Sequence, residues 1–263
     1  MKLAVNYSSP LINLIKNKTI QLDLIKCPDW DGMLSVAEGH GQVTIHFDMD
    51  AGLGNTFNVD FARIRALMDR TFTPHVNTHL VTPKHFDPGN PVEVEKIKRL
   101  WRDEILLMID HFGSDAVALE QFPYTESTPN IKMATEEGTF SQVINDTGCR
   151  LLLDLSHAAI TADTRQINVR DYIRALPLER LAEIHITGTK PYNGVLTDHF
   201  ELGPQDWDLL EWALDEISSG HWHKPEIVAF EYGGVGQTFM WRTNPEVLKT
   251  QVPILYKMIH SLD

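Results

Sequence analysis

The sequence predicts a (β/α)8 barrel, the TIM-barrel form of the α/β class, on three observations. Eight short apolar segments alternate with segments of helical periodicity, as in parallel strands joined by helical crossovers. The length of 263 residues suits one such barrel, and no long Pro-, Gly- or Ser-rich linker divides it, so we expect one domain over residues 1–263. Several of the apolar segments end in a histidine or a carboxylate. A doubly wound open sheet is the alternative, but no GxGxxG follows the first strand.

The predicted strands are short apolar or alternating runs. They cover residues 2–7, 20–26, 42–47, 75–82, 115–122, the start of 149–157, 181–187 and 226–231. The sixth, CRLLLDLSH, has leucines typical of a strand buried on both faces, and it breaks into Asp154, Ser156 and His157. Two interpretations of this break stay open. It is either a site at the carboxyl end of a strand or an Asx or Ser turn with an inert histidine.

The predicted helices have apolar residues three and four apart and recognisable ends. They cover residues 11–17, 29–38, 59–70, 91–112, 132–147, 169–175, 205–218 and 245–261. Gly113 follows the longest of them and suits a helix C-terminus. Residues 197–199 (Thr-Asp-His) are expected in a turn before the helix at 205–218.

Composition excludes several classes of function. The net charge of −13 argues against nucleic-acid and anionic-membrane partners, and the acid excess suits cation binding. Two cysteines, Cys27 and Cys149, are too few for a disulfide framework and fit a reducing compartment. The N-terminus has too short an apolar run for a signal peptide, and no window approaches 18 apolar residues. We therefore expect a soluble, cytoplasmic protein.

Polar residues at the predicted strand ends indicate a metal site, because in a barrel these ends meet at one mouth. They are His46, His79, Glu120, Asp154 with His157, His185, the turn with Asp198 and His199, and Glu231. Burying so many ionisable groups requires charge compensation, which divalent ions can provide. Imidazole with carboxylate suits zinc, manganese or iron.

Each of these residues also has a purely structural interpretation. His46 and His79 fit satisfied core histidines, and His75 fits a loop or a position behind the ligands. Glu120, Glu231 and His185 are harder to explain structurally, because a lone buried ionisable group is costly.

The order of these residues resembles the xylose isomerase-like TIM-barrel superfamily, which includes endonuclease IV, sugar isomerases and epimerases, and multinuclear non-heme iron-dependent oxidases. The resemblance is greatest to the oxidase family that includes methanobactin-biosynthesis enzymes. The similar segments are ALEQFPY (118–124), CRLLLDLSHAAITA (149–162), ALPLERLAEIHITGT (175–189), LTDHFELGPQDWDLLEWAL (196–214) and AFEYGG (229–234).

The resemblance implies two or three metal ions, iron in an oxidase and zinc or manganese otherwise. The ligands it implies are His46, His79, Glu120, Asp154, His157, His185, His199 and Glu231. The family turn reads Asp-x-His, whereas Thr197 stands at the Asp position here, with Asp198 before His199. Either Asp198 reaches the metals or one ligand is missing. Gln121 also stands where relatives have Asn.

The oxidase hypothesis implies that iron activates dioxygen and oxidises a peptide or small molecule. In that family the substrate is often a cysteine-containing peptide delivered by a separate partner protein. Glu120, Glu231 and His185 are the implied catalytic residues, with the open coordination position among His185, His199 and Glu231.

Three alternatives remain at this point. A sugar isomerase or epimerase would use one metal, with Glu120 and Glu231 exchanging a proton across the substrate carbon. Endonuclease IV-like DNA cleavage would use three zinc ions, and the acidic composition argues against it. A non-catalytic barrel would bind a partner instead. The segment from Val235 to Arg242 is either a substrate lid, an interface or a packed loop.

Overall fold

The protein is described by a computed structural model over residues 1–262, excluding the side chains at 237 and 238. Nine parallel strand segments form the central sheet. They are β1 (Lys2–Asn6), β2 (Leu24–Pro28), β3 (Val43–His46), β4 (Asp50–Ala51), β5 (Val76–Leu80), β6 (Val117–Gln121), β7 (Arg150–Asp154), β8 (Leu181–Ile186) and β11 (Ile227–Phe230). A separate antiparallel pair consists of β9 (Gly188–Tyr192) and β10 (Val195–Phe200).

The sheet closes into a barrel through an interrupted strand. Its order is β3-β2-β1-β11-β8-β7-β6-β5-β4, so β3 and β4 stand at opposite ends although only residues 47–49 separate them. The Asn77 side chain bridges this gap: its Oδ1 accepts from the Phe47 N–H at 2.8 Å and its Nδ2 donates to the Phe47 carbonyl at 3.1 Å. The His79 N–H donates to the Met49 carbonyl at 2.9 Å. Counting β3 and β4 as one strand gives the predicted eight.

Helices surround the strands. They are α1 (Ser9–Lys16), α2 (Asp31–Glu38), α3 (Phe61–Arg70), α4 (Pro91–Phe112), α5 (Glu137–Thr147), α6 (Leu155–Arg165), α7 (Val169–Arg174), α8 (Pro204–Ser218), α9 (Gly236–Phe239) and α10 (Pro245–His260). Short 3-10 turns lie at Thr56–Asn58, Ser114–Ala116, Pro129–Thr135, Leu178–Arg180 and Met240–Arg242. Gly113, at φ +88°, ends α4 as predicted. None of the helices within residues 1–262 is both long and apolar enough to cross a membrane.

The core has two parts. Small clusters fill the barrel interior; one contains Ala4, Leu24 and Ala229, which are register partners on adjacent strands. A much larger cluster lies between strands and helices. Leu151 and Leu153 are fully buried in it, and full burial of one leucine contributes about 1.5–3 kcal/mol. The prediction that this strand is buried on both faces is confirmed.

The structure differs from the predicted elements at four main places. The second strand is Leu24–Pro28 rather than 20–26, because pairing with β1 sets its register at Ala4 with Leu24. The helix predicted at 132–147 divides into a 3-10 turn and α5. Helix α6 was not predicted; the Asp154 carboxylate begins it by accepting from the N–H groups of Ser156 and His157 at 2.7 and 2.8 Å.

The fourth difference is the hairpin of β9 and β10. Residues 197–199 lie in strand β10, not in a turn, although the ladder is irregular between Thr197 and Phe200. Asn193 and Gly194 make the reversal with φ angles of +52° and +81°. Asn-Gly is the usual signal for a two-residue hairpin turn, so the sequence did contain a signal for this hairpin.

Candidate metal centre

A cavity of about 500 Å³ opens at the carboxyl ends of the barrel strands. Its lining includes most of the polar residues predicted to meet there: His46, His79, Glu120, His157, His199 and Glu231. Asp198 lines it too, together with aromatic side chains such as Trp30 and Phe122. Pockets of this size commonly bind small molecules or single side chains.

Glu120 lies at the centre of the polar cluster and is 1% exposed. Its Oε2 is 3.1 Å from His46 Nε2 and 3.3 Å from His79 Nε2. Its Oε1 is 3.5 Å from His157 Nδ1 and 3.3 Å from His185 Nδ1. The position follows from β6, which lies between β5 and β7. One carboxylate therefore faces two pairs of imidazoles, each pair with a different oxygen.

Three groups of side chains within residues 1–262 bring potential metal-ligand atoms within 4.8 Å of one another. They are His46 with His79 and Glu120, Glu120 with Asp154 and His157, and His46 with His185 and Glu231. The groups share His46 and Glu120, so they form one connected cluster. These buried clusters can bind metal ions.

Asp154 has both of the roles considered for the break after β7: one oxygen begins the next helix, and the other lies in the polar cluster. Its Oδ1 caps α6, while its Oδ2 is 3.5 Å from His157 Nε2 and 3.8 Å from His185 Nδ1. Asp154 Oδ2 and His185 Nδ1 are buried without a hydrogen-bond partner among the described residues. Buried polar atoms are nearly always satisfied, so two such atoms facing each other fit a cation-binding position.

The carboxylates and imidazoles shift one another's pKa values. Burial opposes charge on His79, but Glu120 outweighs it and raises the pKa of His79 to about 9. Burial likewise opposes charge on His185, and Glu231 with Glu120 raises its pKa to about 10. Although burial alone would raise it, the neighbouring histidines hold the pKa of Glu120 well below its ordinary value. Protons on imidazoles thus balance the carboxylates, and a metal ion would replace these protons.

His157 is oriented by the backbone. Its Nδ1–H donates to the Gln121 carbonyl at 2.9 Å, which leaves Nε2 free to face the carboxylates of Asp154 and Asp198. Asp198 Oδ2 is 3.2 Å from that Nε2. Of the two alternatives for the unusual turn, the structure therefore has Asp198 reaching the cluster. The Thr197 hydroxyl instead donates to the Val195 carbonyl of its own strand.

His199 lies at the edge of the cluster. It has a left-handed backbone at φ +61°, its Nδ1–H donates to the Gly233 carbonyl at 3.0 Å, and its ring lies 4.3 Å from that of Phe239. It lines the cavity but belongs to none of the three groups found among the described residues.

Two charged residues of the cluster were missed by sequence reasoning, Lys26 and Glu183. Lys26 Nζ is 2.8 Å from Glu231 Oε1 and 3.3 Å from Glu183 Oε1, and it contacts His185 Nε2. His75 lies behind the cluster, with Nε2 3.0 Å from Glu183 Oε2. The signals were present: Lys26 interrupts an apolar strand, and Glu183 precedes His185 by two residues and so shares its face.

The segment from Val235 to Arg242 packs on the hairpin. The Arg242 guanidinium lies over the rings of Tyr192, Phe200 and Trp241, and it donates to the Asp198 carbonyl at 2.7 Å. Met240 and Trp241 nevertheless stay 66% and 57% exposed. The segment thus supports the site strand from one side and leaves apolar surface on the other.

Comparison with known proteins shows to which family and to which individual proteins this sequence is similar. The model of a family described as RiPP precursor modification enzyme MbnB/TglH/ChrH matches residues 91–221. A UPF0276 protein of Acaryochloris marina is 26% identical over 184 residues, which cover 66% of this chain and 66% of that protein. A UPF0276 protein of Paraburkholderia phytofirmans is 33% identical over 72 residues, or 25% and 24% of the two chains. The matches thus span less than two thirds of these relatives' lengths.

Solved structures support the architecture over the whole chain. D-psicose 3-epimerase from Clostridium cellulolyticum, determined with D-tagatose, has a TM-score of 0.61 at 12% identity, covering 100% of this chain and 99% of that one. Endonuclease IV from Thermus thermophilus has a TM-score of 0.57 at 12% identity, covering 100% of both chains. Likeness at such identities shows the fold alone, and it confirms the predicted xylose isomerase-like TIM barrel.

Proposed function

Residues 91–221 match the RiPP precursor modification enzyme family MbnB/TglH/ChrH, and from this similarity we propose that the chain is a member of that family and a metal-dependent enzyme that oxidises a peptide. RiPPs are peptides made on the ribosome and then chemically modified. The proposed metal is iron, in a cluster of at least two ions, as the resemblance in sequence implies.

The observation that carries the proposal is the double contact of Glu120. Its Oε2 faces His46 and His79, while its Oε1 faces His157 and His185. A carboxylate in this position would hold metal together with the imidazoles on both of its sides. The proposed ligands of one ion are His46, His79 and Glu120. Those of the other are Glu120, Asp154, His157 and Asp198.

The residues fit a metal cluster on two grounds. Mixed imidazole and carboxylate donors suit iron, and also zinc or manganese. The buried atom Asp154 Oδ2 lacks a hydrogen-bond partner among the described residues, which a bound cation would correct. Bound iron would supply electron transfer to dioxygen, chemistry that protein side chains do not provide by themselves.

The chain's own groups would orient ligands and handle protons. The Gln121 carbonyl holds Nδ1–H of His157 at 2.9 Å and thereby presents Nε2 inward. Glu231 and His185 are the proposed catalytic residues beside the cluster, together with Glu120. Glu231 lines the cavity, where its ionised carboxylate can accept a hydrogen bond from the substrate.

The cavity suits part of a peptide. At about 500 Å³ it holds one or two side chains, and Trp30, Phe122 and Phe239 give it apolar walls that limit access of water. Trp241 and Tyr192, 57% and 41% exposed, extend apolar surface beyond it, where the remainder of a peptide can lie.

The proposal is tested first by metal content. The protein is produced in iron-supplemented medium, purified without chelator or histidine tag, and measured for metals per chain by elemental analysis. We expect at least two iron ions and a visible absorption that changes on reduction. In Glu120→Gln the binding of both ions should be weakened, whereas Glu95→Gln on the exposed face of α4 should retain them.

Other metal contents would favour a different function or overturn the proposal. One manganese, zinc or magnesium ion per chain would favour sugar isomerisation instead. Absence of metal even after anaerobic reconstitution would overturn the proposed enzyme. If iron is present, the next measurement is oxygen consumption in the presence of a library of cysteine-containing peptides. If no peptide of this library causes oxygen consumption, the proposal of a peptide oxidase is contradicted.

A further inference from the structure

Lys26 is a buried cation inside the polar cluster. It is 3% exposed, and its ammonium contacts three residues: two carboxylates, one on β8 and one directly after β11, and a histidine on β8. These are Glu231 Oε1 at 2.8 Å, Glu183 Oε1 at 3.3 Å and His185 Nε2. A surface lysine pair would be weak and mobile, but an ammonium enclosed by two carboxylates is strongly held.

Glu183 holds the Lys26 ammonium in place and is itself held by two histidines. Its other oxygen, Oε2, is 3.0 Å from His75 Nε2, and its Oε1 is 2.8 Å from His185 Nε2. Lys26 and Leu24 are two residues apart on β2, and Leu24 belongs to the cluster inside the barrel, so Lys26 also points inward. The ammonium therefore cannot move to solvent without breaking its contacts with Glu183 and Glu231.

The ammonium lies directly beside a third group of potential metal ligands. The group of His46, His185 and Glu231 offers ligand atoms close enough for a metal. Within it, Glu231 Oε1 is the oxygen that lies 3.5 Å from His185 Nδ1, and the same oxygen lies 2.8 Å from Lys26 Nζ. An ion bound there would lie beside a fixed positive charge in a poorly solvated site, where like charges repel strongly.

We infer that Lys26 is a built-in cation that takes the place of a third metal ion, so that this chain binds two ions around Glu120 and keeps the corner of His46, His185 and Glu231 free of metal. This inference rests on the proposed metal-dependent function. It assigns Glu231 to Lys26 instead of to a metal, in contrast to the sequence prediction that Glu231 is a ligand.

The test counts iron ions in the wild type, Lys26→Met and Lys26→Arg. Each purified protein receives excess iron(II) without oxygen, is desalted, and is measured by elemental analysis. We expect two ions in the wild type, three in Lys26→Met because the corner gains an uncompensated carboxylate, and two in Lys26→Arg because the charge remains. Lys249→Met removes a lysine from an exposed pair with Glu246 and should keep two.

The outcomes separate the inference from the proposed function. Three ions in the wild type, or two in both wild type and Lys26→Met, would overturn the inference and leave the metal enzyme intact. No iron in any variant would overturn both. If Lys26→Met does not fold, the iron content of Glu231→Gln tests the inference instead. Two ions are expected in this variant, whereas loss of an ion would show that Glu231 is a ligand and would refute the inference.

Discussion

At the residue scale, Glu120 and its histidines determine the chemistry of the site. His46, His79 and His185 each lie beside this buried carboxylate, so the charges depend on one another.

The stability of the metal-free protein should fall as pH rises above neutrality. The pKa of His79 is raised to about 9 and that of His185 to about 10, from about 6.5 in the unfolded chain. Because the folded values are higher, this contribution is fully present below about pH 6.5 and is lost as pH rises through 9 to 10. Urea unfolding of chelator-treated protein between about pH 6 and 10 measures it. A free energy of unfolding that stays flat, or a profile identical in His79→Gln, would contradict the prediction.

Asp198 should matter for metal binding where Thr197 does not. Asp198 Oδ2 is 3.2 Å from His157 Nε2, whereas Thr197 bonds to its own strand. Asp198→Asn is expected to lower metal affinity by about 10–100-fold, the usual effect of removing a group that supports or joins the ligands. Thr197→Val is the matched control. Competition titration with a fluorescent chelator compares them, and equal affinities would refute the role of Asp198.

At the element scale, the interrupted strand of β3 and β4 is the point where the barrel closes. Regular ladder bonds are missing beside Phe47, and the Asn77 side chain supplies both of them. Asn77 Nδ2 is also 2.9 Å from His46 Nε2, so this closure positions a proposed ligand. An element that is weak in hydrogen bonds is therefore held by one amide.

Asn77→Ala should destabilise the barrel and the metal site together. It leaves the buried N–H of Phe47 unpaired, while the Phe47 carbonyl still accepts from the Met49 N–H, and this costs about 1–3 kcal/mol in the free energy of unfolding. Urea unfolding measures this loss, and iron content should fall in parallel. Asn58→Ala, in an exposed 3-10 turn, is the control and should change neither. A loss below about 0.5 kcal/mol would mean that Asn77 does not hold the closure.

At the scale of the whole molecule, one cluster joins many strands. Its residues come from β3, β5, β6, β7 and β8, with Asp198 from the hairpin. A ligand that binds only this folded arrangement stabilises the entire barrel, because the cluster does not exist in the unfolded chain. We propose that the chain unfolds as one domain.

Removing metal should therefore lower the melting temperature of the whole protein in a single transition. At metal concentrations of about 100 to 1,000 times Kd, the stabilisation is about 3–4 kcal/mol. Differential scanning calorimetry with and without a chelator measures it. Glu120→Gln should show little response to chelator, and an equal response in this variant would place the stabilising metal elsewhere.

The sequence by itself determined the barrel, the family resemblance and most members of the cluster. Strand and helix periodicity depend on burial of neighbouring residues along the chain, and the polar residues at strand ends must meet wherever parallel strands close. The family match over residues 91–221 and the structural neighbours confirm the resemblance and the fold.

Only the tertiary structure decided which charges meet. Asp198 rather than Thr197 faces His157, because the hairpin at Asn193 and Gly194 sets which residues of β10 point inward. Lys26 pairs with Glu231 although they are 205 positions apart in the printed sequence. Periodicity along one strand cannot give such pairs, since they depend on register between distant strands and on the packing that encloses them.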